Sequence, residues 1–464
     1  MPLHNGFFPR VGRRYLCALL LTVVGTAIAQ ADVQIPEALL EGIENYEPGS
    51  HARSGVAEFR IGDRWNRTAT DGFNSNRRGE PINLTWGFIA DGTSISGGVG
   101  EPTSDSDLIS NLDTLYGRGT GAVGDLAARP WFSVFESSFN RWSELSGINY
   151  QYEPNDGGAT LNGFSNPQGQ RGVYADVRIG GHPIDGSTGQ NTLAYNYFPD
   201  HADMVIDTDN TSLFTNKFND SRFLRNVLMH EAGHGLGFNH LESNNSRQLM
   251  EPFISTAFDG PQIDDILAAH RNYGDVFENR RGGDSRALAL DAGEFGADDR
   301  YRLGSDGRTR VVSSSQTDFV SIDGSSDIDY YELRVSEPVI ASVAVIQVGI
   351  SYNEGAQDGT QTVLDARRLN ELEFTVIEES PTEGLAVIAE STVIRETNHL
   401  ADEISLNPGN DYFVRVSGTQ DNVQLYELRF DFAASPIPEP TTAFLAMSSL
   451  FGLVGRQRRA CRVG

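Results

Sequence analysis

Only two cysteines occur in 464 residues, Cys17 and Cys461, and they stand at opposite ends of the chain. The body between them holds no disulfide, so it relies on core packing and on any ions it binds. Basic residues are scarce as well: 36 Lys and Arg face 63 Asp and Glu, for a formal net charge of −27. So acidic a surface disfavours nucleic acid and anionic lipid as partners and leaves the substrate open. Long hydrophobic runs are missing too. The apolar stretches Tyr15–Ala29 and Thr441–Val454 flank the chain, and both fall short of the ~20 residues that an unaided membrane span needs. There is no nucleotide-binding loop and no convincing internal repeat.

What is present at the ends is directional. Arg10, Arg13 and Arg14 precede the first apolar run, and Ala27-Ile28-Ala29 or Ala29-Gln30-Ala31 closes it. That order is a secretory signal peptide over residues 1–31, with an uncleaved anchor as the alternative that the short run argues against. Cleavage would take the net charge to about −30. At the other end, Ser435-Pro436-Ile437-Pro438-Glu439-Pro440 leads into the second apolar run and then Arg456, Arg458, Arg459 and Arg462. Residues 434–464 resemble the PEP-CTERM sorting signal of exported proteins in Gram-negative bacteria. The resemblance implies an exosortase-type processing enzyme as a partner and transient membrane contact through the terminal signals. A simple C-terminal anchor is the alternative. Either way the body is expected outside the cytoplasm, at the cell surface, outer membrane or extracellular matrix.

The interior carries one dense constellation, His230-Glu231-Ala232-Gly233-His234-Gly235-Leu236-Gly237-Phe238-Asn239-His240. Residues four apart share a helix face, so His230 and His234 can present imidazoles to one point. The apolar spacing of Phe223–Met229 predicts the helix, with Asn219 and Asp220 as N-caps. Gly237 is a natural stop, after which the chain can return His240 as a third ligand. Three neutral imidazoles leave a fourth tetrahedral position for water, the arrangement of a catalytic Zn2+ rather than a closed structural one. Glu231 lies beside the ligand stripe and is the expected general base, later returning its proton to the leaving amine. Histidines on an ordinary helix are the alternative, but the further match at Gly237 and His240 weighs against it.

These positions fit the zinc-protease pattern of the metzincins. Met250, in Gln248-Leu249-Met250-Glu251-Pro252, resembles their Met-turn, an apolar floor beneath the metal ligands. The Leu-Met-Glu-Pro form is similar to that of matrixins, as are Asp264-Asp265-Ile266, His270 and Tyr273-Gly274 downstream. Upstream, Ala175–Ile179, His182–Gly186, Leu193–Tyr197 and Met204–Asp209 resemble the matrixin segment that holds structural zinc and calcium. Tyr195 and Val205 replace histidine ligands there, which implies that the structural zinc is absent. Asp185, Asp207 and Asp209 remain as hard oxygen donors for Ca2+ or as solvated turn residues. Leu241 stands where matrixins carry serine. The loop from Phe253 to Gln262 is expected to wall the pocket for the residue after the scissile bond.

Trp131, Phe132, Phe135, Phe139, Trp142 and Leu145 recur at helical intervals and predict an amphipathic helix with an aromatic core face. The matrixin resemblance covers residues 80–275, following an N-terminal segment or propeptide at 32–79. Residues 276–310 read as a linker rich in Arg, Asp and Gly. Beyond it the period changes to two: Tyr331, Leu333 and Val335 alternate with charged residues, as do Tyr426, Leu428, Phe430 and Phe432. Residues 311–433 therefore predict an all-β sandwich. Asp327–Tyr331 and Asp411–Val416 resemble the bacterial pre-peptidase C-terminal domain, structural or substrate-binding. The fold expected is an α/β (α+β) metzincin catalytic domain, with a mixed twisted sheet and an active-site helix, followed by that sandwich. The function expected is an exported zinc endopeptidase acting on protein or peptide substrate. The alternative is a surface or biofilm-matrix binding protein with little or no proteolysis.

Overall fold

The computed structural model describes residues 31–32 and 61–435, except 74–76, 186–191, 245–246, 282–283, 356–358 and 396. The expected signal peptide, apart from Ala31, and the Pro-Glu-Pro tail from residue 436 lie outside the described residues.

The first half is built on a five-stranded mixed sheet. Its strands are β1 (Ile82–Phe88), β2 (Ile148–Tyr152), β3 (Val177–His182), β4 (Ala194–Asn196) and β5 (Met204–Asp207), in spatial order β2-β1-β3-β5-β4. Four run parallel, and β4 pairs antiparallel with β5 at the edge. Three long helices follow from the apolar periodicity: α1 (Leu108–Tyr116), α2 (Phe132–Leu145) and α3 (Phe218–Gly235). The aromatic face of α2 is buried as its spacing predicts, with Trp86 of β1 stacked on Phe139 at 4.8 Å between ring centroids. The other edge of α2 meets α3, where Trp142 Nε1 donates to the Met229 carbonyl at 3.0 Å. A fourth helix, α4 (Ile263–Tyr273), closes this half.

The N-terminal limit of this half lies earlier than residue 80. Trp65 is buried in the same core and donates from Nε1 to the Gly235 carbonyl at 2.8 Å, while Gly62 N–H donates to Gly237 O at 2.7 Å. Residues 61–65 thus brace the exit of α3. The start of α3 also differs from expectation. Asn219, Asp220 and Ser221 have φ of 50°, 58° and 56°, and no side-chain cap forms. The regular helix begins after Ser221, because Asn and Asp tolerate left-handed backbone and so make a turn here instead of a cap.

The second half is a sandwich of two sheets. One is ordered β6 (Leu290–Phe295), β9 (Ile328–Val335), β17 (Asp411–Gly418), β13 (Leu372–Ser380), β14 (Gly384–Glu390). The other is ordered β7 (Arg300–Leu303), β18 (Gln424–Ala434), β10 (Val339–Gln347), β16 (Asn398–Leu406), β15 (Thr392–Arg395), with β8 (Val320–Ile322) on β18. Their inner faces share one core, in which Tyr331, Leu333 and Val335 meet Val343, Leu428 and Phe430. Segment 276–310 supplies a short helix (Val276–Arg281) and the strands β6 and β7, with Phe295 and Leu303 in that core. The charges of Arg300 and Arg302 mask the alternation of β7, since both point outward on an edge strand. A separate hairpin, β11 (Ser351–Glu354) with β12 (Thr362–Asp365), hydrogen-bonds to neither sheet.

The halves meet over a broad polar and apolar junction. Val312, Phe319, Val348, Tyr352 and Leu425 belong to the core cluster that also contains Trp142 and Met250. Arg141 of α2 donates to the carbonyls of Ser313 and Gln316, and Gln262 exchanges hydrogen bonds with the Val312 backbone.

Candidate metal centre

Helix α3 ends in a tight turn that Gly237 makes possible. Its φ is +92°, and a Cβ there would stand 2.0 Å from the Asp63 carbonyl oxygen. The chain then reverses and carries His240 back over the helix, as its spacing predicts. The result is a convergent triad of imidazoles. His230 Nε2 lies 3.1 Å from His234 Nε2 and 3.2 Å from His240 Nε2. His230 and His234 are completely buried, and His240 is half-buried.

The other ring nitrogens fix this aim. His230 Nδ1 donates to the Leu249 carbonyl and His234 Nδ1 to the Phe238 carbonyl, each at 2.7 Å. With Nδ1–H engaged on backbone oxygens, the Nε2 lone pairs face one another, the tautomer that a metal ligand requires. Burial pushes His230 down to about 4 and His234 well below the usual histidine range. The imidazoles are therefore neutral at ordinary pH and able to donate.

Glu231 is fully buried, and among the described residues neither of its carboxylate oxygens has a hydrogen-bond partner. Burial raises its carboxyl well above the usual range. Ionising a carboxyl buried without a partner costs several kcal/mol (about 1–3 even for a neutral polar group), so its charged form calls for a neighbouring cation. The three convergent imidazoles form a donor set that suits zinc. His230, His234 and His240 thus bring their ring nitrogens together as their spacing predicts.

Met250 lies beneath the helix. A Cβ on Gly233 would stand 2.4 Å from Met250 Sδ, so glycine is what lets the thioether reach the helix axis between the ligands. Sequence reasoning did not find the brace of this floor. Asp265 accepts from the backbone N–H groups of Leu249, Met250 and Gln262 at 2.7, 3.0 and 2.7 Å. Burial pushes Asp265 up to about 6, although these donors pull the other way. One signal was readable: Gln262 and Asp265, three apart, form a capping box for α4. The loop after Phe253 is tied to α3 by Asn226, whose Nδ2 donates to Ser255 O at 2.7 Å and Phe258 O at 3.1 Å.

The candidate calcium donors accept hydrogen bonds from neighbouring backbone. Asp207 Oδ1 accepts from the N–H groups of Ile184 and Asp209, and Asp185 Oδ2 from that of Thr192. Among the described residues, two groups of at least three His, Cys, Asp or Glu bring ligand atoms within 4.8 Å of one another. They are the three histidines, and Glu278, Asp323 and Asp327 at the junction of the halves. The edge of the sheet is knit by Glu101, which accepts from Gly98 N, Val99 N and Tyr195 Oη and contacts His182 Nε2. Burial alone would raise Glu101, but these bonds, His182 foremost, hold it down at about 2.

Residues 122–274 match the matrixin family model. Matrixins use zinc, and the match, with the histidine cluster inside it, points to a zinc metallopeptidase. Matrix metalloproteinase-B of Caenorhabditis elegans is 29% identical over 193 residues, covering 36% of this chain and 33% of that protein. The chain thus spans about a third of that curated relative's length. The pre-peptidase C-terminal domain of a Bacillus anthracis collagenase is similar at 14% identity, over 31% of this chain and 96% of that one, with a TM-score of 0.19. A Clostridium thermocellum endo-1,4-β-D-xylanase with CBM22 and GH10 modules is similar at 13% identity, over 31% and 26%, with a TM-score of 0.17. Scores this low assign neither fold nor function. The matrixin-like segment contains the whole histidine triad, Glu231 and Met250, and the sandwich lies outside it.

Proposed function

We propose that this chain is an exported zinc-dependent endopeptidase whose catalytic group is Glu231. The observation that carries the reading is a convergent histidine triad, two of whose members lie on the helix that also carries a buried carboxylate with no hydrogen-bond partner among the described residues. His230, His234 and His240 would hold the zinc ion. When bound, that ion supplies Lewis acidity and a concentrated positive charge beside Glu231.

The residues of the chain perform the proton work. Glu231, ionised next to a cation, accepts a proton from the attacking water as the water oxygen bonds to the peptide carbonyl carbon. The same carboxyl then delivers that proton to the amide nitrogen as the C–N bond breaks, giving a carboxylic acid and an amine. Leu249 O and Phe238 O keep two imidazoles in one tautomer and orientation throughout. Met250 supplies an apolar surface that holds the ligand helix in place from below.

Residues 61–281 form the catalytic part in this reading, with the sandwich as an accessory. Export through residues 1–31, sorting at 434–464 by an exosortase-type enzyme, and calcium at Asp185, Asp207 and Asp209 belong to the same proposal, as does the surface or matrix location. Mass spectrometry of the protein recovered from its producing cells reads both ends directly: termini near residues 32 and 434 support the two signals, and intact termini refute them. The activity itself is tested by casein cleavage. The full chain should cleave, lose cleavage on chelation and regain it with stoichiometric zinc. Cleavage that is indifferent to chelation, with zinc stripped, would exclude this mechanism.

A further inference from the structure

The β11–β12 hairpin is the least expected element of the C-terminal half. It projects from the sandwich between β10 and β13, pairs only with itself, and contributes nothing to either sheet. It contacts the segment after the third ligand and the first turn of α4, which braces the Met250 loop.

One contact is on the first turn of α4, next to the floor's brace Asp265. Tyr352 is 2% exposed and belongs to the same core cluster as Trp142 and Met250. Its hydroxyl donates to the Asp264 carboxylate. The neighbouring Asp265 holds the N–H groups of Leu249 and Met250, and Leu249 O receives His230 Nδ1–H. The other contacts lie on the segment that follows the third ligand. Gly355 N–H donates to Glu242 O at 3.2 Å, Asn353 Nδ2 to Asn244 Oδ1 at 2.8 Å, and Asn244 N–H to Gln361 Oε1 at 3.3 Å. Within the catalytic half, the ligand loop and the floor loop touch each other through Leu241 N–H donating to Met250 O at 2.9 Å.

We propose that the β11–β12 hairpin is a positioning element of the metal centre, clamping the His240 loop to the Met250 loop, with Tyr352, Asn353 and Gln361 as its contact residues. The inference rests on the functional reading above. A hairpin that serves neither sandwich sheet but bridges both loops sets how far His240 stands from His230 and His234. Ligand geometry is then shared between segments about 90–120 residues apart in sequence. Residues outside the ligand set that orient ligands change metal affinity by about 10–100-fold when replaced. The hairpin should therefore govern how long zinc stays bound and how fast the bound substrate turns over, and should leave substrate binding alone.

The test uses the full chain with zinc bound, comparing the parent, Tyr352→Phe, the double variant Asn353→Ala/Gln361→Ala, and Ser321→Ala. The last is a control, because it deletes another buried hydroxyl at the junction of the halves, the one facing His270. Zinc release to an excess of a colorimetric chelator is timed, kcat and KM are measured on one peptide, and the denaturant midpoint is recorded for each protein. The hairpin variants should release zinc about tenfold faster and lose kcat at nearly constant KM. Ser321→Ala should match the parent in release whatever it does to the midpoint. Equal release from the parent and both hairpin variants overturns the clamp, and so does acceleration of the same size in Ser321→Ala. A parent that binds zinc but cleaves nothing fails the functional reading, while the release rates still decide the clamp. A parent that holds no zinc overturns both.

Discussion

Two buried polar side chains of similar length, Glu231 in the helical half and Gln424 in the sandwich, are treated in opposite ways. Both are 0% exposed. Gln424 is saturated: its Oε1 accepts from Leu369 N and Asn370 N, and its Nε2 donates to the carbonyls of Val348, Ala366 and Leu425. Glu231 has no partner for either oxygen. Among the described residues, the fold pairs one buried polar group five ways and leaves the other without a hydrogen bond. The first arrangement holds a structure together, and the second awaits chemistry.

The sharpest way to break this contrast is to remove the charge. Glu231→Gln should lower peptide turnover by about 10²–10⁴-fold while stability changes little, since the amide is nearly the same size and no hydrogen bond among the described residues is lost. Turnover within threefold of the parent would show that Glu231 is not the base. Gln424→Leu should do the reverse. It strips a hydrogen bond from two N–H groups and from the Val348 and Ala366 carbonyls at once, so unfolding in denaturant should lose about 4 kcal/mol, with kcat of the folded protein unchanged. A loss under 1 kcal/mol would mean that water or backbone shifts repair the site.

A pH titration sharpens the same comparison at the junction. His270 is buried, with Nε2 donating to Leu145 O at 2.7 Å and Nδ1 facing Ser321 Oγ at 2.9 Å. Burial pushes it down to about 4 from 6.5. Below pH 6.5 the unfolded chain therefore binds a proton that the folded chain refuses, so stability falls as pH drops from 6.5 toward 4, by up to about 3 kcal/mol. His270→Gln should flatten that slope relative to the parent, read as unfolding free energies at several pH values. Parallel slopes would assign the acid sensitivity to other groups. The smallest effect expected is for Gly233→Ala. Helix propensity alone would favour alanine by ~1 kcal/mol, but the added methyl meets Met250 Sδ. A net loss of about 1–2 kcal/mol and looser zinc should follow. A gain in stability would show that the floor gives way freely.

The same contrast explains what could be read from the chain. Histidines at i, i+4 and after a glycine turn are local chemistry, so His230, His234 and His240 stand together as their spacing predicts. The aromatic face of α2 and the alternation in β9 and β18 are equally local, since period alone decides burial there. Long-range partners were not legible. Nothing at Tyr352 announces Asp264, 88 positions away, and nothing at Trp65 announces Gly235. The linker-like composition of 276–310 misled because edge strands carry charge outward, as Arg300 and Arg302 do. At the start of α3, Asn219 and Asp220 fit a cap and a left-handed turn equally well, and only the assembled fold decides between them. The aspartates of the 185–209 segment show the limit most clearly: turn-forming and ion-binding sequences share one composition.

The account stands or falls on what the three imidazoles hold. The direct measurement is zinc content by mass spectrometry of the native full chain, for the parent and for His240→Ala, each equilibrated with equal limiting zinc. One zinc ion per parent chain and essentially none on the variant, with both folded by circular dichroism, is the result predicted. Equal zinc on the two, or none on a folded parent, would contradict it.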